Sequence, residues 1–134
     1  MSLEIVQRER EGVTILDMKG RITAGEEASK FRETVQGMAA SGKASVILNM
    51  EGVDYIDSTG LGAIVVCSTL IKKAGGQAKL LNLSRRTIEL LVMTKLATIF
   101  EIFTDEQDAV NSFFPDRKVN AFDILNFVKE QKKG

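Results

Sequence analysis

The segment Asp54-Tyr-Ile-Asp-Ser-Thr-Gly-Leu-Gly-Ala-Ile-Val-Val66 decides how this chain folds, because it joins a predicted strand to a predicted helix. The apolar run Val46-Ile-Leu48 comes before it and predicts a buried strand, and an acidic connection follows. Asp57-Ser-Thr-Gly60 then opens a second apolar run. Asp, Ser and Thr are preferred helix N-caps, since their oxygens accept bonds from the first free N–H groups of a helix. The pattern therefore predicts Ser58 at the carboxyl end of a strand and at the positive end of a helix dipole.

Two interpretations of this strand–helix junction stay open. In open α/β sheets, ligand sites gather at the carboxyl ends of the strands, and a helix N-terminus favours a bound or covalent anion. The plainer interpretation is an ordinary cap on a buried helix, with Gly60 and Gly62 permitting close packing. The local spacing alone favours the plainer interpretation.

The hexapeptide Asp57-Ser-Thr-Gly-Leu-Gly62 resembles the motif of the STAS-domain anti-sigma factor antagonists, a bacterial family. The resemblance covers residues 3–114. It includes three further segments, Asp17-Met-Lys-Gly-Arg-Ile22, Val46-Ile-Leu-Asn49 and the turn Gly75-Gly76 before Leu80-Leu81. It implies an α/β STAS fold, in which a small mixed β-sheet with alternating helices forms a β-α superhelix.

The same resemblance implies a function for Ser58. In the family, the serine directly after this aspartate is the phosphoacceptor. The unphosphorylated protein binds a serine kinase that is also an anti-sigma factor, and it thereby regulates sigma-factor-dependent transcription. Phosphorylation separates the complex, and a PP2C-type phosphatase resets it. The implied partner-binding residues are Thr23, Asp57, Ser58, Thr59, Gly60, Leu61 and Ile64, and family members often carry an aspartate where this chain has Thr23.

Composition excludes several kinds of chemistry. The 134 residues carry 18 basic and 18 acidic side chains, so net charge indicates neither a nucleic-acid nor an acidic-lipid partner. The chain has no histidine, which removes the usual general base. Cys67 is the single cysteine and allows neither an intrachain disulfide nor a multi-cysteine zinc site, so we expect a core thiol. We expect no cofactor and no metal.

The sequence also indicates where the protein works. Residues 1–10 are charged and have no apolar signal-peptide core. The longest apolar run, Leu61 to Cys67, is too short to span a bilayer. We therefore expect a soluble, cytoplasmic protein that binds no membrane and no nucleic acid directly.

Strand and helix patterns alternate along the chain, which is typical of an α/β domain with a parallel or mixed sheet. Strands are predicted at Leu3–Glu9, Val13–Met18, Ala44–Asn49, Ala78–Leu83 and Ile99–Phe103. Helices are predicted at Glu26–Ala40 and Leu61–Ala74, after the cap Ser84 as far as Leu96, and at Thr104–Phe114. Capping boxes are predicted at Thr23 with Glu26 and at Thr104 with Gln107.

The helix predicted from Leu61 is apolar nearly all round its first three turns, whereas a surface helix shows one apolar stripe. Such a helix is either covered on both sides or presents apolar side chains to a partner. Both interpretations stay open. In the second, Leu61 and Ile64 lie in the interface.

Pro115 marks the boundary between a domain of residues 1–114 and a C-terminal extension of residues 115–134. The extension shows the pattern of a short amphipathic helix with Asn120 as its candidate cap. The apolar positions are Phe122, Ile124, Leu125, Phe127 and Val128. This extension either packs back on the domain or serves as a contact segment.

Two alternatives to the sigma-factor role remain. The first keeps the fold and makes the chain a STAS scaffold or sensor-complex subunit, phosphorylated without acting directly on a sigma factor. The second is a small enzyme with Asp54 and Asp57 as an acid–base pair, and the lack of histidine, metal cluster and phosphate-binding loop disfavours it. We therefore predict a binding protein without catalytic residues, and not an enzyme.

Overall fold

The computed structural model describes residues 3–124, 126 and 127. These residues form one five-stranded sheet with the strand order β1-β2-β3-β4-β5. The strands are β1 (Leu3–Arg10), β2 (Val13–Ile22), β3 (Ser45–Ile56), β4 (Gln77–Leu81) and β5 (Ile102–Phe103). The helices are α1 (Glu26–Ala40), α2 (Ser58–Lys73), α3 (Arg85–Met93) and α4 (Glu106–Asn111).

The sheet is mixed, as predicted. β1 and β2 form an antiparallel hairpin, and β2 to β5 run parallel to one another. The hairpin turns at Glu11 and Gly12, whose φ values of 53° and 84° suit a two-residue turn that matches the strand twist. The helices α1, α2 and α3 make the three parallel crossovers in turn, because parallel neighbours require a long connection.

Two apolar layers cover the two faces of the sheet, since side chains alternate along each strand. The main core lies between one face and the first three helices; its buried helix residues include Phe31, Val35, Leu61, Ile64 and Leu91. The smaller core lies on the other face, where Ile15, Ile47 and Phe103 pack against Ala109 and Val110 of α4. Leu61 and Ile64 are therefore core residues, which was one of the two interpretations of the apolar helix α2.

β3 is longer than predicted. The residues interpreted as an acidic connection belong to the strand, which continues to Ile56 and pairs with β2 as far as Ile22. Register shifts between Asp17 and Lys19, and between Gly20 and Arg21, accommodate the extra residues of β3. Because the pairing partner is remote in sequence, the local polar residues give no sign of this extension.

Both predicted capping boxes are wrong. The residue before α1 is Gly25, whose φ of 97° turns the chain into the helix two residues after Thr23. The residue before α4 is Asp105, and its carboxylate accepts a bond from the N–H of Asp108 at 3.0 Å. Asp105, directly before the helix, therefore supplies the cap in place of Thr104. The predicted cap Ser84 is confirmed, since its hydroxyl accepts a bond from the N–H of Thr87 at 3.1 Å.

The segment between α3 and α4 is less regular than predicted. α3 ends at Met93, and Lys95 adopts a positive φ of 62°, so the predicted helix residue Leu96 lies beyond the helix. β5 contains only Ile102 and Phe103, although a strand from Ile99 was predicted. α4 ends at Asn111, before the predicted end at Phe114.

An ionic network attaches α4 to the first hairpin. The Arg8 guanidinium donates to Asp17 at 2.6 Å and also to Glu106 of α4, and Arg10 donates to Glu106 at 2.6 Å. The hydrogen bond from Arg8 is the largest cause that lowers the pKa of Glu106 from 4.5 to about 2, and Arg10 contributes in the same direction. Arg8 also lowers the pKa of Asp17. These carboxylates are therefore more stabilised in their charged form in the folded state than in the unfolded state.

This network predicts an acid-sensitive part of the stability. Because the folded pKa of Glu106 is depressed, its contribution is present above the unfolded value of 4.5 and is lost as the pH falls towards about 2. We expect the free energy of unfolding to decline over this window, and to decline less in Glu106→Gln. Urea denaturation from neutral pH to about pH 2 measures this. Parallel curves for the two proteins would show that Glu106 is not a source of the acid sensitivity.

The described part of the C-terminal extension packs back on the domain. Arg117 forms an ion pair with Glu11 at 2.9 Å, and the N–H of Phe122 donates to the carbonyl of Ile102 in β5 at 2.8 Å. Phe122 and Ile124 are half-buried against the main core. Asp123, rather than the predicted Asn120, accepts the cap bond from the N–H of Asn126 at 3.0 Å. The predicted positions Leu125 and Val128 lie outside the described residues.

We propose that residues 1–114 nevertheless fold without the extension. Burial of the half-exposed Phe122 and Ile124 stabilises the folded state, but the entropy cost of ordering the segment offsets much of that gain. We expect truncation after Phe114 to lower the free energy of unfolding by about 1 kcal/mol or less. Circular dichroism and thermal melts of the truncated chain test this. Loss of the folded state would place the boundary elsewhere.

Candidate functional site

Ser58 lies at the junction of β3 and α2, as predicted. β3 ends at Ile56, Asp57 has the extended conformation of an N-cap, and Ser58 is the first residue of α2. The Ser58 side chain is therefore at the carboxyl end of a strand that pairs with parallel neighbours, and at the positive end of the α2 dipole. Ser58 and Thr59 are both exposed.

Asp57 fixes the start of α2 and connects it to the end of β2. Its Oδ1 accepts a bond from the N–H of Gly60 at 2.7 Å, which confirms the predicted cap. Its Oδ2 accepts a longer bond from the N–H of Ala24, and its own N–H donates to the carbonyl of Ile22, both at 3.4 Å. These bonds hold the loop that contains the half-buried Thr23 beside the first turn of α2.

Gly60 allows the first turn of α2 to pack closely against Ile22 at the end of β2. A Cβ atom at this position would lie 1.8 Å from the carbonyl oxygen of Ile22 and 3.0 Å from the Ile56 side chain. No such contact arises at Gly62, where a Cβ would meet nothing within 4 Å. Close packing therefore requires glycine at position 60, whereas position 62 has room for a larger side chain.

The structure separates the predicted partner-binding residues into two groups. Ser58, Thr59 and the neighbouring Asp57 are available at the surface, with Thr23 half-buried beside them. Leu61 and Ile64 are only 2% and 1% exposed and belong to the main core, so the folded domain does not offer their side chains as contact groups. Gly60 is buried as well. These buried residues, Gly60, Leu61 and Ile64, anchor the first turns of α2 to the rest of the domain.

An open groove lies beside Ser58, between the start of α2 and the helix α3. Its volume is about 450 Å³. The groove is lined by Tyr55, Ile56, Asp57, Ser58, Arg86, Glu89, Leu90 and Met93. Met93, near the end of α3, is 79% exposed at the border of this groove.

Two arginine side chains lie near the ring of Tyr55. The guanidinium carbon of Arg86 is 5.1 Å from the centre of the Tyr55 ring, and that of Arg21 is 5.8 Å away. Both distances fall within the range of cation–π contacts. Glu89, the acidic residue that α3 contributes to the groove, is within 3.3 Å of Arg85.

The α3 residues of the groove were not predicted from the sequence. The sequence indicates a helix from Ser84, but nothing in it indicates that Arg86, Leu90 and Met93 lie beside Ser58.

The thiol of Cys67 is buried, and burial raises its pKa to about 12, as expected for a core thiol. Among residues 3–124, 126 and 127, no three His, Cys, Asp or Glu side chains come close enough to hold a metal ion. Within the same part of the chain, each helix is too short or too polar to cross a membrane.

The chain is similar to known proteins along most of its length. A family model described as the STAS domain matches residues 4–109. The chain is 33% identical over 110 residues to the anti-sigma-B factor antagonist of Bacillus subtilis (strain 168), which covers 82% of this chain and 99% of that protein. It is 26% identical over 113 residues to the anti-sigma F factor antagonist of Paenibacillus polymyxa, with coverage of 82% and 94%. The crystal structure of a candidate anti-sigma factor antagonist from Thermotoga maritima matches with a TM-score of 0.75 and 25% identity, and covers 81% of this chain and 92% of that one.

The matched relatives are named as antagonists of anti-sigma factors, and such antagonists are regulatory binding proteins and not enzymes. The chain belongs to the STAS-domain anti-sigma factor antagonist family, as the hexapeptide at Asp57 indicated. The mixed sheet with alternating helices is the STAS fold.

Proposed function

We propose that this protein is an anti-sigma factor antagonist controlled by phosphorylation of Ser58. In its unphosphorylated form it binds an anti-sigma factor serine kinase in the cytoplasm, and so frees the sigma factor for transcription. The observation that carries this proposal is the exposed Ser58 hydroxyl at the N-terminus of α2, beside an open groove. The names of the two relatives from Bacillus subtilis and Paenibacillus polymyxa support it.

The kinase supplies the chemistry of the switch. The Ser58 oxygen attacks the γ-phosphorus of the ATP bound to the kinase, the bond from that phosphorus to ADP breaks, and the hydroxyl proton passes to a base of the kinase. A PP2C-type phosphatase reverses the modification, because water replaces the serine oxygen on phosphorus and inorganic phosphate leaves. In both steps this protein is the substrate.

The position of Ser58 explains how a phosphate changes binding without changing the fold. Phosphorylation adds about −1.5 to −2 charges at neutral pH. At the N-terminus of α2, the helix dipole stabilises this charge by about 0.3–1 kcal/mol within the free protein. In a complex, the same charge is desolvated beside the Asp57 carboxylate, which favours separation.

The proposed contact surface contains the exposed part of the predicted set. It comprises Asp57, Ser58 and Thr59, with Thr23 at its border, and the α3 side of the groove extends it to Met93. Gly60, Leu61 and Ile64 are buried, and they contribute indirectly by fixing the position of the first turn of α2 through their packing. Thr23 takes the position of the aspartate often found in the family, so it offers a hydroxyl in place of a second carboxylate.

A pull-down from a lysate of the source bacterium tests the proposal. We expect the wild-type protein to retain a serine kinase, identified by mass spectrometry, and Ser58→Asp to lose it. Ser29→Asp is the matched control, because Ser29 is also exposed and lies near the N-terminus of a helix, α1. Retention of the same kinase by Ser58→Asp would argue against the switch, and loss by both variants would show a general charge effect.

The C-terminal extension favours a second candidate function. The matched family model ends at residue 109, and the match to the Bacillus subtilis relative spans 99% of that protein but only 82% of this chain. The chain therefore carries a segment that is additional to that relative. In this alternative, the protein is a scaffold or sensor-complex subunit that is phosphorylated without acting on a sigma factor. The same pull-down separates the two candidates, since a subunit would retain other sensor proteins in place of a kinase that binds a sigma factor.

A further inference from the structure

Arg86 brings a positive charge into the groove that Ser58 also lines. Arg86 and Ser58 line the same groove, from α3 and from the start of α2. The Arg86 guanidinium lies over the face of the Tyr55 ring at 5.1 Å. Arg86 is exposed, and a cation–π contact at an exposed site is weak, so the guanidinium can leave the ring for a stronger acceptor.

We propose that Arg86 binds the phosphate of phosphorylated Ser58 within the same molecule and thereby closes the groove. This inference rests on the proposed phosphorylation of Ser58. It adds a residue of this chain that recognises the phosphorylated state, so the modification changes the α3 side of the contact surface as well as the charge at α2.

The charges around the groove favour this capture. The acidic groups that face it are Asp57, whose carboxylate accepts the Gly60 and Ala24 N–H bonds, and Glu89, which is paired with Arg85. Arg86 is the basic side chain that lines it. Bonds between a guanidinium and a phosphate are charge-assisted and bidentate, and they are stronger than an exposed cation–π contact. Arg86 therefore exchanges its contact with Tyr55 for the phosphate.

This exchange has a consequence for the partner. In the unphosphorylated protein, the groove is open between Ser58 and the exposed Met93. When Arg86 bridges to the phosphate, its side chain crosses that space. The Arg86 side chain then blocks a partner group from the groove, in addition to the unfavourable charge of the phosphate.

The first test is a ³¹P NMR titration of protein with phosphoserine installed at position 58 during translation. A guanidinium in contact with the phosphate stabilises the dianion and lowers its second pKa. We expect Arg86→Gln to raise this pKa by about 0.5, and Arg86→Lys to give a smaller shift. Arg21→Gln is the matched control, because it removes the same charge from the other arginine near the Tyr55 ring but lies outside the residues that line the groove.

The second test uses the aromatic composition of the chain. The protein has one tyrosine, Tyr55, and no tryptophan, so its tyrosine fluorescence reports on that ring alone. If Arg86 leaves the ring for the phosphate, emission should change on phosphorylation in the wild-type protein and much less in Arg86→Gln. The unphosphorylated variants provide the baseline and, by their NMR spectra, show that the fold is intact.

Each outcome decides the proposal. A pKa shift in Arg86→Gln that is absent in Arg21→Gln, together with the loss of the fluorescence change, supports capture by Arg86. Equal pKa shifts in both variants, or none in either, overturn it. Because phosphoserine is installed without the kinase, this result is independent of the proposed function, whose own failure would appear as a wild-type protein that no kinase phosphorylates at Ser58.

Discussion

Replacing Ser58 with alanine should abolish phosphate incorporation from ATP by the cognate kinase. The Ser58 hydroxyl is exposed at the first residue of α2 and is the acceptor implied by the motif. The variant should stay folded, because the cap is supplied by Asp57 rather than by Ser58. Intact-protein mass spectrometry before and after incubation with kinase and ATP measures the effect.

The neighbouring hydroxyl provides the control for this prediction. Thr59 is also exposed, and it is one residue further along α2. Thr59→Ala should still gain one phosphate, located at Ser58 by peptide mapping. An undiminished phosphate yield in Ser58→Ala, or its transfer to Thr59, would remove the basis for the switch.

Gly60→Ala should strongly destabilise the protein or displace the first turn of α2. The added Cβ would lie 1.8 Å from the carbonyl oxygen of Ile22, a backbone atom that cannot rotate away. We expect a loss of about 2–4 kcal/mol in the free energy of unfolding, as for other substitutions that overpack a rigid site. Urea denaturation followed by circular dichroism measures it.

Gly62→Ala is the matched comparison, since it makes the same chemical change two residues later in the same helix. A Cβ there meets nothing within 4 Å, and alanine has the higher helix propensity by about 1 kcal/mol. Gly62→Ala should therefore be neutral or stabilising. Similar destabilisation in both variants would show that helix geometry, rather than the approach of α2 to Ile22, explains the effect of Gly60→Ala.

Local features of the sequence identified the cap of α2, although the helix begins at Ser58, three residues before the predicted Leu61. An N-cap depends on a side chain and an N–H only a few residues apart, so Asp57 and Ser84 could be identified from their neighbours. The same local rule failed at Thr23, because α1 begins at the predicted Glu26 but the residue before it is Gly25, with a positive φ and no side chain to cap the helix. The length of β3 could not be predicted, because its second half is stabilised by pairing with β2.

The groove could not be predicted for the same physical reason. Its two sides come from the end of β3 with the start of α2, and from α3, which only tertiary packing brings together. The apolar character of α2 allowed either a buried or a docking role, and burial of Leu61 and Ile64 depends on the cover provided by the sheet and the other helices. The exposed face of the site is consequently better defined by the structure than by the motif.

The affinity of the cognate kinase for two states of this protein tests the proposed switch most directly. Isothermal titration calorimetry should compare unmodified protein with protein fully phosphorylated at Ser58, under the same salt and nucleotide conditions. We predict binding at least about 100-fold weaker for the phosphorylated protein, since a buried unpaired charge in an interface costs several kcal/mol. Equal affinity in the two states would contradict the proposed function.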